Sequence, residues 1–481
     1  MHLFEAAQAI GARAVGADVA LGTVSSDSRK LPPGCLFVAL KGPHFDGHAY
    51  AQKALENGAT AVMVDVAAGL YLAPALQVDD TRLALGRLAA WRRAQMPARL
   101  AAITGSNGKT TVKEMLAAIL TAEVGEAAVL ATCGNLNNDI GMPLTLLKLT
   151  LEHRYAAIEM GMNHPGEIAY LTELARPDVA LVNNALRAHL QGLGSVEAVA
   201  RAKGEIYAGL RDGGIAIFNA DDPHALTWRQ LAGGHKVLGF GFAEGADVRV
   251  CESELARDGR RGDREQALSY KLVLETPVGR IETTLQVPGI HNQRNAAAAA
   301  AAALGLGVSA GAVARGLAAY AGSKGRLQDQ ACILGATMID DSYNANPDSV
   351  AAAIEVLAAR PGQRILVLGD MGELGVDTEA LHREVGERAR AAGIDRLLCL
   401  GEMSLHAVQG FGAGAMHFER IEELLAEIEC ALRPEVTVLI KGSRFMKMER
   451  VVQSFVEVQK GDTAPPEPCV SYEPGGESKC S

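Results

Sequence analysis

One segment, residues 100–121, constrains the fold of this 481-residue chain more than any other. Residues 100–103 are a short apolar run that predicts a buried strand. From Lys109 to Thr121, apolar residues recur at the spacing of one helix face. A glycine-containing turn joins the two, so the segment predicts a strand–turn–helix unit of a parallel sheet covered by helices. The turn consists of Gly105, Ser106, Asn107, Gly108, Lys109, Thr110 and Thr111.

This turn has the composition of a phosphate-binding loop. Glycines let backbone N–H groups close around phosphate oxygens, and the N-terminus of the following helix adds partial positive charge. We predict that Lys109 reaches the β- and γ-phosphates of a nucleotide and that the Thr110 hydroxyl binds Mg²⁺. The pattern is GxxGKT, because Ile103 stands where the longer phosphate-loop pattern has its first glycine. An ordinary glycine-rich turn is the alternative interpretation.

The length and the pattern of strands and helices predict three α/β domains and a tail. A chain of 481 residues exceeds one hydrophobic core, so roughly two to four domains are expected. We predict a small α/β domain over residues 1–97, which ends at Pro97, and a central parallel-sheet ATPase domain over residues 98–322. Alternating strands and helices over residues 323–460 predict a C-terminal Rossmann-like domain. Residues 461–481 are rich in Pro, Gly, Ser and Glu and predict a disordered tail.

Charge and composition exclude several classes of function. With 46 basic and 56 acidic residues the net charge is −10, so general binding to nucleic acid or an anionic membrane is not expected. The N-terminus lacks the features of a signal peptide. The longest uncharged run, residues 295–314, is mostly Ala and Gly and predicts a buried helix and turn. We therefore expect a cytoplasmic protein without stable membrane insertion.

Polar residues follow two predicted strands where ligands of open α/β sheets bind. Glu159 follows residues 155–158, and beside a phosphate loop its carboxylate favours Mg²⁺ binding over a helix cap. His189 follows the strand at residues 179–182. Lys203 lies two turns into a helix for which Ser195 is the predicted N-cap. Taken alone, His189 fits a structural histidine and Lys203 a surface lysine.

Together these motifs resemble the Mur ligase family over nearly the whole chain, to about residue 459. The order and spacing of several short segments carry the resemblance, and none is decisive alone. They are residues 104–111 (TGSNGKTT), 134–141 (GNLNNDIG), 159–161 (EMG), 202–205 (AKGE) and 291–296 (HNQRNA), with His189. The resemblance implies an ATP-dependent ligase that activates a carboxylate as an acyl phosphate and forms an amide bond.

Within that family, two stretches resemble the member that joins D-alanyl-D-alanine to a UDP-N-acetylmuramoyl-tripeptide for peptidoglycan and cell wall synthesis. They are residues 159–168 (EMGMNHPGEI) and 340–349 (DDSYNANPDS). The ligase of the preceding step usually has an Asp-Asn-Pro-Arg motif in its last domain, which this sequence lacks. Two alternatives stay open: another ligase of the superfamily, such as a tripeptide-forming Mur ligase or a folylpolyglutamate synthase, and a non-catalytic nucleotide-binding regulator.

The resemblance also implies roles for individual residues. Lys109, Glu159, His189 and Lys203 are the implied catalytic set; Thr110, Glu159, His189 and a carbamylated Lys203 would hold two Mg²⁺ ions. Asn295 is expected at adenine, and a mobile C-terminal domain would close on ATP through Arg326, Asp341, Tyr343 and Asn346. Substrate-binding candidates are Ser28, Arg29, Asp46, Gly47, His48, Asn135 and Asn138.

Several of these assignments depend on the resemblance alone. Without it, Arg326 fits a linker arginine and residues 46–48 fit a polar loop. Residues 441–444 (KGSR) follow a strand and fit either dipeptide or phosphate binding or a plain helix start. Leu186 departs from the family pattern, which often has glycine at that place before the histidine. We expect a monomer.

Overall fold

The computed structural model describes residues 1–256 and 269–456. Its strands form three sheets that follow one another along the chain. The predicted tail, residues 461–481, and the last residues of the predicted third domain, 457–460, lie outside the described residues. Within the part of the chain that is described, no helix has both the length and the apolar character needed to cross a membrane.

The N-terminal sheet has the strand order β1-β5-β4-β3-β2. Its elements are β1 (Arg13–Val15), β2 (Val24–Ser25), β3 (Leu36–Val38), β4 (Ala61–Asp65), β5 (Ala75–Val78), α1 (Leu3–Ile10), α2 (Ala51–Glu56) and α3 (Thr81–Gln95). Neighbouring strands are parallel except β1 and β5. Successive side chains of a strand face opposite sides, so Leu36 and Val38 pack with α1 and α3 whereas Phe37 packs with α2.

The central sheet has the order β14-β13-β12-β11-β10-β9-β6-β8-β7. Its strands are β6 (Arg99–Thr104), β7 (Val129–Ala131), β8 (Tyr155–Glu159), β9 (Val179–Val182), β10 (Ile215–Asn219), β11 (Lys236–Gly241), β12 (Val248–Ala256), β13 (Ser269–Thr276) and β14 (Gly279–Leu285). From β7 to β12 the pairing is parallel, as predicted for this region. The antiparallel extension from β12 to β14 was not predicted.

Two layers of helices cover the central sheet. They are α4 (Lys109–Val124), α5 (Gly141–Leu146), α6 (Glu167–Ala175), α7 (Leu190–Leu193), α8 (Val196–Gly204), α9 (Ala225–Leu231), α10 (Ile290–Gly305) and α11 (Ala310–Ala319). Ala101 and Ile103 of β6 pack against α4, α10 and α11, whereas Leu100 and Ala102 face the other layer. Residues 296–303 of α10 are fully buried alanines. The long uncharged run is therefore a buried helix and a turn, as predicted, and its last residues begin a second helix that was not predicted.

The C-terminal sheet has the order β15-β16-β20-β17-β18-β19 and is parallel except for β15 and β16. Its elements are β15 (Gln328–Ala331), β16 (Thr337–Asp341), β17 (Gln363–Gly369), β18 (Arg396–Leu400), β19 (Ala415–Phe418), β20 (Val436–Lys441), α12 (Pro347–Ala358), α13 (Thr378–Ala391), α14 (Leu405–Phe411), α15 (Ile421–Ala431) and α16 (Glu449–Gln453). Leu366 and Leu368 face one buried cluster, and Ile365 and Val367 face another. Helices on both faces confirm the doubly wound prediction.

Candidate active site

A cavity of about 1380 Å³ lies where the central and C-terminal sheets meet. On the central side it is lined by the turn after β6 and by the carboxyl end of β8. On the C-terminal side it is lined by the ends of β16 and β20 and by the start of α12. Ligands of open α/β sheets bind at such strand ends, so this cavity is the candidate active site.

The turn after β6 has the close packing that a phosphate loop requires. Gly108 has φ 77°, and a Cβ atom there would lie 2.6 Å from both the Asn183 Nδ2 and the Asn295 Oδ1 atoms. The Lys109 Nζ atom donates to the carbonyl oxygens of Gly105 (2.8 Å) and Ser106 (3.3 Å). Burial is the main cause that lowers the pKa of Lys109, with a further contribution from the nearby Arg326.

Residues after β9 hold the phosphate loop in place. The Asn107 N–H donates to the Asn184 side chain (2.8 Å), and the Asn183 side chain donates to the Asn107 carbonyl (3.0 Å). The Leu186 N–H donates to the Ser106 hydroxyl (2.9 Å). Leu186 does not have a positive φ, so its backbone does not need a glycine at this place.

Glu159 is the last residue of β8 and is 2% exposed. Its carboxylate accepts from the Thr110 hydroxyl (2.9 Å) and from the Asn137 side chain (2.6 Å). A carboxylate and a hydroxyl are thus adjacent at the start of α4, which is the oxygen-rich environment that Mg²⁺ prefers. Within residues 1–256 and 269–456, no group of three or more His, Cys, Asp and Glu residues is arranged to hold a metal.

His189 precedes α7 in a left-handed conformation, with φ 58°. Its Nδ1 atom lies 2.7 Å from the Glu373 Oε2 atom, which belongs to the loop after β17. The close approach of His189 is the main cause that lowers the pKa of the Glu373 carboxyl. This pair joins the central and C-terminal sides of the cavity.

Lys203 is in the last turn of α8, and Ser195 caps that helix as predicted by accepting from the Ala198 N–H (3.2 Å). The lysine is fully buried, and its Nζ atom has no hydrogen-bond partner among the described residues. Burial, and then the charge of Lys109, lower the pKa of Lys203 well below its ordinary value. The surface-lysine interpretation is therefore wrong.

The predicted nucleotide residues from the C-terminal half reach the phosphate loop. The Arg326 Nη2 atom lies 3.3 Å from the Thr110 hydroxyl, and the guanidinium stacks 4.1 Å from the centre of the Tyr343 ring. The Asn346 side chain donates to the Asn107 Oδ1 atom (2.7 Å) and accepts from the Asn107 Nδ2 atom (3.2 Å).

Asp341 and Asn295 also line the cavity. The Lys441 Nζ atom lies 2.6 Å from the Asp341 Oδ2 atom. Burial raises the pKa of Asp341, and Lys441 opposes that effect. Asn295 is 5% exposed and accepts from the Asn183 side chain (3.0 Å).

Two groups of predicted substrate residues separate in the structure. Asn135 and Asn138 line the cavity, whereas the five N-terminal candidates do not. His48 is 8% exposed and bridges the N-terminal sheet: its Nδ1 atom lies 2.6 Å from the Asp46 Oδ1 atom, and its Nε2 atom accepts from the Asp65 N–H (2.9 Å). The N-terminal candidates are Ser28, Arg29, Asp46, Gly47 and His48.

Sequence reasoning missed contacts that close the cavity between its two sides. Glu373 lies four residues beyond the end of β17. The rule that ligands bind beyond the carboxyl ends of strands would therefore have indicated it. Arg187, in the loop before His189, is not among the predicted site residues. Its carboxylate partners, Asp348 and Glu384, lie on α12 and α13, about 160 and 200 residues further along the chain. No local pattern indicates such a contact.

The fold and the loop define a nucleotide-binding α/β protein whose site lies between two sheets. Comparison with known families gives a more specific result. The family model described as Mur ligase family, catalytic domain, matches residues 21–93. The Mur ligase middle domain matches residues 103–303, and the Mur ligase, glutamate ligase domain, matches residues 325–444.

Relatives and solved structures agree with these matches. The UDP-N-acetylmuramoyl-tripeptide–D-alanyl-D-alanine ligase of Escherichia coli K12 is 46% identical over 92% of this chain and 95% of its own. A crystal structure of MurF from Acinetobacter baumannii aligns with a TM-score of 0.84, 35% identity and coverage of 94% and 98%. MurF ligase from Thermotoga maritima in complex with ADP aligns with a TM-score of 0.76, 26% identity and coverage of 90% and 96%. The chain belongs to the Mur ligase family, whose members are ATP-dependent amide ligases.

Proposed function

We propose that this chain joins D-alanyl-D-alanine to UDP-N-acetylmuramoyl-tripeptide, with ATP converted to ADP and phosphate, and so makes the pentapeptide precursor of peptidoglycan. One observation carries the proposal: the phosphate loop and groups from the C-terminal half converge on one cavity, through the Arg326–Thr110 and Asn346–Asn107 contacts. The full-length similarity to ligases named for this reaction supports the substrate choice.

The cavity residues fit Mg²⁺ as well as ATP. Thr110 and Glu159 supply a hydroxyl and a carboxylate next to the phosphate loop. We propose that His189 and Lys203 serve a second ion, with Lys203 as a carbamate. The buried amine without a partner fits this modification, because CO₂ reacts with a neutral amine and the product is an anion that can ligate a hard cation. When bound, Mg²⁺ would neutralise charge that develops on the phosphate oxygens.

The reaction needs positioning more than covalent chemistry from the protein. The tripeptide carboxylate attacks the γ-phosphorus of ATP, which gives an acyl phosphate and ADP. The amine of the dipeptide then attacks the acyl carbon, and phosphate leaves as the amide forms. Lys109, which contacts the loop carbonyls, would turn toward the transferred phosphoryl group, and Arg326, which contacts Thr110, would approach that group from the other side. Both cations stabilise negative charge in the transition state.

The remaining assignments concern the substrates and the organisation of the chain. We assign the uridine diphosphate end to the N-terminal candidates around Asp46, and the peptide end to Asn135 and Asn138, which line the cavity. Domain boundaries near residues 97 and 322 are consistent with the three sheets. We further propose that the chain acts as a monomer in the cytoplasm, where ATP and nucleotide-linked precursors are available. Light scattering of the purified chain tests the monomer directly.

Phosphate release from ATP tests the proposed function. The full chain is assayed with UDP-N-acetylmuramoyl-tripeptide, with and without D-alanyl-D-alanine, and the product is weighed by mass spectrometry. Release that needs both substrates, with a product heavier by one dipeptide less water, is the expected result. Release that responds to a single amino acid and a shorter precursor would assign the chain to another step. Nucleotide binding without release would indicate a regulator and contradict the proposal.

A further inference from the structure

Arg187 makes the most extensive ion-pair contact between the two sides of the cavity. It lies in the loop between β9 and α7, and its main-chain N–H donates to the Asp348 Oδ2 atom (2.8 Å). Its Nε and Nη2 atoms donate to the Asp348 Oδ1 atom (3.1 and 2.8 Å). Its Nη1 atom donates to both carboxylate oxygens of Glu384 (3.0 and 2.8 Å).

These contacts use the directional geometry of the guanidinium group. Several parallel N–H donors fix both the distance and the orientation of the carboxylates, which a lysine cannot do. The Arg187 and Asp348 side chains are 28% and 23% exposed. The contact is thus partly shielded from water, and it is stronger than a fully exposed surface pair.

The position of this contact connects it to the site. His189, which meets Glu373, lies two residues after Arg187 on the central side. Asn346, which pairs with Asn107 of the phosphate loop, lies two residues before Asp348 on the other side. A displacement of the Arg187 loop against α12 would therefore separate His189 from Glu373 and Asn346 from Asn107 at the same time.

We propose that Arg187 is a positioning residue that latches α12 and α13 onto the central sheet, with Asp348 and Glu384 as its two acceptors. The latch keeps the two nucleotide-facing sides together and sets the distance between the phosphate loop and Asn346. This proposal rests on the proposed function, since a latch serves catalysis only if ATP is held from both sides.

The chain offers a closely matched control for this contact. Arg364 binds Asp395 through its main-chain N–H (2.8 Å) and its Nε atom (3.0 Å), with similar exposure of the arginine. Both partners of that pair belong to the C-terminal sheet region, away from the cavity. R364A therefore removes a comparable ion pair without loosening the two sides. E384Q removes the negative charge of one latch carboxylate and one of its two acceptor oxygens, and it keeps the size of the side chain.

The test combines small-angle X-ray scattering with kinetics of the full chain. R187A is expected to increase the radius of gyration without nucleotide and to raise the KM for ATP about tenfold, because only the closed fraction binds well. E384Q is expected to raise the KM for ATP about twofold. R187A and E384Q are both expected to keep kcat within about threefold of the wild-type value at saturating ATP. R364A is expected to leave the scattering and the KM unchanged.

Two results would overturn the latch. One is an R187A protein whose radius of gyration and KM equal those of the wild type; the other is an R364A protein that changes as much as R187A. If R187A does not fold, E384Q decides by the same two measurements. If the wild type shows no ATP turnover with any acceptor, the proposed function fails, but the scattering comparison still decides whether Arg187 holds the two sides together.

Discussion

The buried amine of Lys203 is the residue whose environment most needs an explanation. A charged lysine without a partner in the protein interior is costly, so this side chain favours its neutral form. A neutral amine is the form that reacts with CO₂. The resulting carbamate would lie near the positive charge of Lys109, which already acts on Lys203 in the structure. The proposed carbamylation would account for both the burial and the missing partner.

We predict that K203A lowers turnover by about two orders of magnitude, which is the loss expected when one preorganised charge at a phosphoryl-transfer site is removed. Acetate or formate should partly restore turnover, because a small carboxylate can occupy the space of the missing carbamate. K113A is the matched control: Lys113 is also buried, on α4, but it pairs with Glu114. Two results would contradict the assignment. One is K203A turnover near the wild-type value; the other is a loss of turnover in K113A that acetate also restores.

For single residues, the sequence indicates the chemical role of a side chain better than it indicates the surroundings of that side chain in the fold. The glycines and Lys109 of the phosphate loop follow from local composition, because the same few residues make the turn and bind the phosphate. Lys203 does not, since a lysine on a helix is usually exposed and its burial depends on residues far away in the chain. The resemblance to a family indicated its role, and the structure showed its surroundings.

Among the elements, α12 has its N-terminus fixed by a residue that also contacts the phosphate loop. The Asn346 Oδ1 atom caps the helix by accepting from the Ser349 N–H (2.9 Å), while its Nδ2 atom donates to Asn107. The Oδ1 atom also accepts from the Asn107 Nδ2 atom (3.2 Å), but the Nδ2 atom has no part in the cap, so a substitution that replaces Nδ2 alone separates the donor role from the cap.

We predict that N346D keeps the stability of the protein but raises the KM for ATP roughly tenfold or more. Aspartate caps a helix as well as asparagine does, but it cannot donate to Asn107 and adds negative charge beside the phosphate loop. N346A serves as the comparison, because it also loses the cap and should cost about 1 kcal/mol of stability. Melting temperatures and ATP kinetics of the two variants check this, and an N346D protein with wild-type KM would contradict it.

The loop after β17, which carries Glu373, depends on a buried histidine of α13. His382 is fully buried; its Nε2 atom accepts from the Met371 N–H (3.0 Å), and its Nδ1 atom lies 2.7 Å from the Thr378 carbonyl. Burial is the main cause that lowers the pKa of His382. The neutral ring is the form that makes both contacts.

This arrangement predicts a pH-dependent contribution to stability. A lowered folded pKa means that the unfolded chain binds the proton first, so the contribution of His382 is complete above the unfolded pKa of about 6.5 and declines as the pH falls below it. The stability difference between wild type and H382Q should therefore be larger at about pH 7.5 than at about pH 5. Urea unfolding at the two pH values measures this difference in the free energy of unfolding. H44Q is the control variant, because His44 is exposed. An equal difference at both pH values would contradict the prediction.

The strands and helices were predictable where the hydrophobic pattern repeats. Buried strands such as β6 and β9 have continuous apolar runs, and the helix after the phosphate loop has a clear apolar face. The antiparallel extension from β12 to β14 was missed because β14 alternates buried and exposed residues in a polar sequence, which is a weaker signal than an apolar run. Sheet order depends on pairings between distant strands and could not be predicted from local pattern.

In the whole molecule, the candidate site exists only because two sheets meet. The phosphate loop and Glu159 come from the central sheet, while Arg326, Tyr343 and Asn346 come from beyond it. The sequence could place each group at the end of an element, but the contacts between them span more than 200 residues, as in the Arg326–Thr110 pair. This is why several residues that line the cavity could be named from the sequence, whereas the ion pairs that hold its two sides together could not.

Transfer of labelled oxygen tests the central claim, that the chain activates a peptide carboxylate with ATP before it forms the amide. UDP-N-acetylmuramoyl-tripeptide with oxygen-18 in its reacting carboxylate is incubated with ATP, Mg²⁺, D-alanyl-D-alanine and the full chain. The acyl-phosphate route predicts that one labelled oxygen appears in the released phosphate and the other stays in the new amide carbonyl. Released phosphate without the label, alongside formation of the pentapeptide, would contradict the account.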